Sequence, residues 1–331
     1  VNVLAQDNYF NNFISDSFNV EFWFIIFALF AFITILGGVK NGIERSSKIM
    51  MPILVVLAIM VVIYSVTRPG AIEGVKYFLI PNFEDFSIMT IVAAMGQMFY
   101  SLSIAMGILY TYGSYLEKDV DIEKSTKQVE LFDTAIAILA GLMVIPAVFA
   151  FSTEAAESLQ AGPSLMFITL PKVFASMGAG TIAGILFFLL VFFAALTSAI
   201  SLLETSVSSL SQQFHISRNK AIVIMAFVML AFGTTSCLGY GVWDFISIFG
   251  MAFLDFYDFL TNSIMMPIAA LATCILIIKV VGFQKIIDEV KISSPFKREK
   301  MYVFFMKYLA SFFLIIILLS SVASVLGIIS M

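Results

Sequence analysis

Apolar residues fill this chain in long runs separated by short polar segments. Eight runs stand out, at about 19–39, 50–66, 88–116, 127–151, 178–211, 219–237, 254–279 and 302–330. A helix crosses a bilayer core in roughly 20 residues, with a range of about 17–25, so each run is long enough for a membrane helix. The runs are continuous. A transmembrane β-barrel would instead show short segments of alternating polarity. The pattern predicts an all-α polytopic membrane protein with about 8 transmembrane helices.

The third run does not read as a plain helix. Its middle is Gly96-Gln97-Met98-Phe99-Tyr100-Ser101-Leu102-Ser103-Ile104-Ala105-Met106-Gly107. Glycines, serines and a glutamine at membrane depth predict a helix that breaks over 100–107. The freed carbonyl and amide groups would then line a site for an ion or a small solute near the midplane.

Composition removes the soluble alternatives: the chain is 61% hydrophobic, 12% charged, and has a mean hydropathy of +1.03. Charge then suggests an orientation. Of the 18 lysines and arginines, only Arg68, Lys76 and Lys172 fall in the loops on one side, counted alternately. The positive-inside rule places the rich side in the cytoplasm and both ends of the chain outside, in the cell's inner (plasma) membrane. A net charge of −4 and a pI near 5.1 argue against a nucleic-acid partner. Residues 1–17 contain no basic residue and no apolar core, so they are not a signal peptide. A polar N-terminus outside requires an odd number of spans upstream. The chain is therefore expected to be the C-terminal part of a longer transporter or the product of a truncated gene.

Enzyme chemistry finds little support. The single histidine, His215, reads as a solvated loop residue, and Cys237 and Cys274 fall near opposite ends of different spans, so a disulfide is not expected. No nucleophile–base pair, zinc-ligand spacing or nucleotide loop is present. No cofactor is expected other than a coupling ion.

Gly96 to Tyr115 resembles the sixth span of the neurotransmitter:sodium symporter family, especially its bacterial amino-acid transporter branch. Gly42-Ile43-Glu44-Arg45, with Lys48 and Pro52, is similar to the turn between that family's fourth and fifth spans. Ala161-Gly162-Pro163-Ser164-Leu165-Met166-Phe167-Ile168-Thr169-Leu170-Pro171 is similar to its hairpin-forming fourth extracellular loop, and Phe193-Ala194-Ala195-Leu196-Thr197-Ser198 to the core of its eighth span. The resemblance implies a LeuT-type inverted five-helix repeat fold holding family spans four to eleven, N-terminally truncated by spans one to three. Residues 1–87 would be a loop remnant plus the last two helices of the first repeat. Residues 88–281 would be the complete second repeat, and 282–331 a cytosolic loop and final helix.

Helix geometry brings the carbonyl of Ala194 close to the side chains of Thr197 and Ser198. These hydroxyls could coordinate a hard cation such as sodium, or they could simply back-bond to the helix. The resemblance makes them the family's second sodium site. Asp133 and Glu204 are carboxylates inside spans and need partners. By resemblance, Asp133 and Ser101 belong to the first sodium site. Asp133 replaces the usual asparagine there and also supplies the negative charge that chloride provides in animal relatives. The alternative is a protonated Asp133 hydrogen-bonded across the bundle.

The resemblance places Tyr100 as an aromatic lid and Ser103 and Met106 on the substrate pocket wall, facing Ala199 and Leu202. Core packing is the alternative for Tyr100, Met106 and Leu202. Gln97 and Asp258 match an outer gate, although Asp255 and Asp258 also suit a helix N-terminus. Glu204 either lines an exit path or pairs structurally.

The expected function is sodium-coupled symport of a small apolar or aromatic amino acid by alternating access, without need of chloride. It would require the upstream spans for a full site. The competing expectation is a truncated, non-transporting membrane fragment or a scaffold for partner helices.

Overall fold

The computed structural model describes residues 2–6, 8–84, 86–151, 163–176 and 178–325. The described residues are almost entirely helical. In chain order the helices are α1 (Tyr9–Ser15), α2 (Ser17–Leu36), α3 (Val39–Val66), α4 (Ala71–Leu79), α5 (Ile88–Ser101), α6 (Ile108–Ser114) and α7 (Ile122–Phe151). They continue as α8 (Leu165–Ser176), α9 (Gly180–Gln213), α10 (Arg218–Leu238), α11 (Phe253–Val281), α12 (Phe283–Val290) and α13 (Glu299–Ser320).

Seven of these are long and apolar enough to cross a membrane: α2, α3, α7, α9, α10, α11 and α13. Each matches one of the apolar runs. The third run differs: it forms two short helices of 14 and 7 residues, α5 and α6, with the later part of the polar cluster, residues 102–107, between them. The last run extends past Val325, outside the described residues. Ala161 and Gly162 of the loop motif also lie outside them, while the later residues of that motif form α8.

Local chemistry sets several boundaries. Ser87 and Thr90 form a reciprocal capping box at the start of α5, with amide-to-hydroxyl distances of 3.3 and 3.1 Å. Asp121 caps α7 by accepting from the Lys124 amide at 2.9 Å, and that bond holds its carboxyl below the usual carboxylate range. Pro52 and Pro146 lie inside α3 and α7. Membrane helices tolerate such residues because neighbouring groups take up the freed carbonyls.

The chain divides into two compact units, and the division falls within α7 between Asp133 and Thr134. The unit of residues 1–83 and 134–247 has a core built from α3, α7, α8 and α9, with Leu57, Val61, Val148, Leu170 and Phe187 buried. Small residues let its helices approach closely: a Cβ added at Gly141 would lie 2.1 Å from the Phe78 ring, and one at Gly74 would lie 2.7 Å from Pro146. The unit of residues 84–133 and 248–331 packs Phe99 against Met266, Ala270 and Cys274 of α11 and Leu314 of α13. An apolar cavity of about 500 Å³ lies among α5, α11, α13 and the segment following α5. Both cysteines are free thiols.

Candidate functional site

The segment between α5 and α6 has an unusual backbone. The chain leaves the helix after Ser101 and passes through Ser103 at φ 54° and Ala105 at φ 66° before Gly107 restarts the helix at φ 79°. Glycine adopts that last conformation without cost. For Ser103 and Ala105 the left-handed region costs of order 1–3 kcal/mol each, and such strain persists only where the surroundings impose it. Tyr100 and Phe99 carbonyls accept from the Ser103 and Ile104 amides at 3.0 and 3.1 Å. From Ser101 to Met106, however, the carbonyls accept no backbone hydrogen bond among the described residues. In a membrane span such oxygens are tolerated when they face a cavity or a ligand.

The free end of this turn meets a carboxylate. The Ser101 hydroxyl donates to Oδ1 of Asp133 on α7 at 2.6 Å, and Asp133 is half-buried. Ser101 and Asp133, matched to one sodium site by resemblance, are thus brought together. A carboxylate, a hydroxyl and adjacent unengaged carbonyls form an all-oxygen donor set, the chemistry that a hard cation selects.

Thr197 and Ala194 are also brought together. The Thr197 hydroxyl lies 2.9 Å from the Ala194 carbonyl and 3.0 Å from that of Phe193, donating to them as a back-bonded helix threonine does. Ser198 is exposed beside it. For a cation to bind, the Thr197 proton must turn away so that a lone pair and the Ala194 carbonyl point at the same ion.

The remaining matched residues fall on several elements. Tyr100 is exposed, while Met106 packs against the core formed by Phe99, Met266 and Leu314. Ser103 sits at the strained turn. Ala199 and Leu202 lie on α9 in the other unit, with Leu202 exposed. Gln97 and Asp258 share no hydrogen bond among the described residues; Asp258 instead accepts from Asn262, one turn along its own helix, at 2.5 Å.

Glu204 has a clear partner. Its side chain is 0% exposed, and the Arg218 guanidinium grips both carboxylate oxygens, at 2.8 and 2.6 Å. Arg218 also donates to the Ile35 carbonyl in the last turn of α2 at 3.1 Å. This is the pairing alternative for Glu204. The partner is hidden in the sequence because Arg218 counts among the loop charges; the signal is its place as the first basic residue after the turn that follows α9. A second carboxylate, Glu21, carries no sequence signal of its role. Near the start of α2 it accepts from the Thr234 hydroxyl of α10 at 2.7 Å.

Comparison with known proteins gives the arrangement a context. Residues 6–328 match the Sodium:neurotransmitter symporter family. The chain belongs to that family. The uncharacterized sodium-dependent transporter YhdH of Bacillus subtilis is 34% identical over 306 residues, covering 92% of this chain and 66% of the relative. An uncharacterized sodium-dependent transporter of Haemophilus influenzae is 35% identical over 272 residues, covering 82% and 59%. The crystal structure of MhsT in complex with L-phenylalanine superposes with a TM-score of 0.82 at 35% identity, covering 95% of this chain and 70% of that one. The chain thus spans about three-fifths to two-thirds of the length of these two curated relatives.

As a symporter-family chain it has the helical LeuT-type membrane fold expected from its sequence, and the family is one of sodium-coupled transporters rather than enzymes.

Proposed function

We propose that this chain forms the C-terminal part of a sodium-coupled amino-acid symporter of the bacterial inner membrane, working by alternating access. The observation that carries the reading is the contact of Ser101 with Asp133 beside a turn whose carbonyls are unengaged. Two sodium ions bind, one at Ser101 and Asp133 and one at Ala194, Thr197 and Ser198. Tyr100, Ser103, Met106, Ala199 and Leu202 contact the substrate, and Gln97 and Asp258 form the outer gate. The apolar character of Met106 and Leu202, together with the bound phenylalanine of MhsT, favours an apolar or aromatic amino acid. The fixed charge of Asp133 takes the place of chloride.

The chain spans 66% and 59% of two relatives, and a further element of the reading is that additional polypeptide, taken as three N-terminal spans, completes both ion sites and the pocket. With the basic loops in the cytoplasm, both ends of the present chain face outward. Equilibrium binding of labelled phenylalanine in detergent, to the chain supplied with N-terminal spans, tests this. Binding should require sodium and should not be supported by potassium. Binding that is indifferent to sodium would refute the reading, and sodium-dependent binding by the chain alone would refute the need for further spans.

A further inference from the structure

The geometry points to a binding groove for an anionic phospholipid between α2 and α10. The two helices run antiparallel and are closed at one end. There, the Val242 amide donates to the Ser17 hydroxyl at 3.2 Å, Thr234 holds Glu21 at 2.7 Å, and Gly233 lies so close to the Phe24 ring that an added Cβ would come within 2.1 Å. At the other end Arg218 of α10 binds the Ile35 carbonyl of α2 at 3.1 Å.

Between these closures lies a groove of about 330 Å³, lined by apolar side chains alone, including Ala28 and Leu36 of α2 and Ile222, Ala226, Phe227 and Leu230 of α10. Leu36 and Phe227 are 62% and 70% exposed, so the groove opens outward. From Ile222 to Leu230 the helix rises roughly 12 Å, so the groove is an apolar channel long enough for a stretch of extended hydrocarbon chain.

Charge specifies the headgroup. Lys220 stands two residues before Ile222, and Lys40 stands four residues beyond Leu36, so both lie at the same end of the groove. Both are exposed, and Arg218 between them is committed to Glu204. Flexible lysine stems reach toward the interface and present their charge there. Basic residues between helices at the cytoplasmic surface attract anionic headgroups. One acyl chain would lie over Ala28 and Ala226 while the phosphate meets Lys40 and Lys220. The assignment rests on the membrane orientation proposed above, but not on sodium or amino-acid binding.

The test uses the chain in detergent micelles without sodium or substrate, containing lipids with brominated chains. A tryptophan placed by Phe227→Trp, with Trp23→Phe and Trp243→Phe, reports the chain in the groove. Brominated phosphatidylglycerol should quench it at lower mole fraction than brominated phosphatidylcholine, by roughly fivefold for each lysine engaged. Lys40→Gln with Lys220→Gln should erase the preference, and Ala226→Phe should reduce quenching by both lipids. The unaltered chain should likewise retain phosphatidylglycerol through purification, and the double lysine variant should lose it, a measurement independent of the tryptophan substitutions. Equal quenching by the two lipids would reduce the groove to ordinary annular contact and overturn the proposal. So would absent quenching together with cross-linking of Phe227→Cys between two copies.

Discussion

Ser101 donates its hydroxyl to Asp133 across 2.6 Å, joining the end of α5 to the middle of α7 over a separation of 32 residues. The bond fixes one edge of the unwound turn, and it brings a carboxylate to a place where backbone carbonyls have no partner of their own. An ionised acceptor strengthens such a bond. In the proposed transporter, the Ser101 hydroxyl would keep its proton but turn it away, so that its lone pair and the Asp133 oxygens face the same sodium ion.

Asp133 should therefore decide the anion requirement. Transport by the unaltered protein should proceed without chloride. Asp133→Ser should abolish uptake or make it chloride-dependent, while Ser101→Ala should weaken sodium binding by the worth of one hydrogen-bonding oxygen, about 1–3 kcal/mol. Uptake assayed in chloride and in gluconate measures this, and chloride dependence of the unaltered protein would eliminate the role.

Thr197 and Ser198 invite a second substitution. Thr197→Ala with Ser198→Ala removes two hydroxyls with little change in volume or helix propensity. Apparent sodium affinity should fall roughly tenfold or more, equivalent to about 1.4 kcal/mol, and Thr197→Ser should retain it. Substrate affinity at saturating sodium should change much less, because the two ligands are linked only through the state they share. An unchanged sodium titration would leave Thr197 with only its bonds to Phe193 and Ala194.

The Glu204–Arg218 pair predicts a stability effect. Arg218→Ala removes both guanidinium bonds from a carboxylate with 0% side-chain exposure. Breaking a buried pair in this way costs about 3–5 kcal/mol, and the partial exposure of Arg218 places the effect toward the lower figure. Replacing both residues with methionine should recover most of the loss. Thermal unfolding in detergent distinguishes the outcomes, and equal melting of Arg218→Ala and the unaltered chain would contradict a structural role.

Orientation has its own test. In a chain whose native cysteines are replaced by alanine, Glu73→Cys should react with an impermeant maleimide on intact cells and Asn41→Cys should react only after lysis. The reverse pattern would overturn the assignment of inside and outside.

Much of this architecture is legible in the amino-acid sequence. The long apolar runs correspond to seven membrane helices because hydrocarbon thickness sets a length that composition alone reveals. The polar cluster from Gly96 to Gly107 marks the segment where α5 and α6 separate, since glycine and serine there neither fill a lipid-facing surface nor favour a helix. The contact between Thr197 and Ala194 follows from helical spacing. Long-range pairings do not. Nothing in the local pattern says that Arg218 reaches Glu204 and Ile35, or that Glu21 meets Thr234, because each depends on how α2, α9 and α10 converge. The π-turns within α3, α11 and α13 are also invisible in the sequence, since one extra residue in a turn leaves the hydropathy unchanged.

The most direct measurement of the central claim is uptake of labelled phenylalanine into proteoliposomes containing the chain together with N-terminal spans. An inward sodium gradient should drive accumulation above the external concentration, with or without chloride, and the accumulated label should leave when the gradient is collapsed. Equal uptake in sodium and potassium, or no accumulation under a sodium gradient by a protein that binds phenylalanine, would contradict sodium-coupled symport.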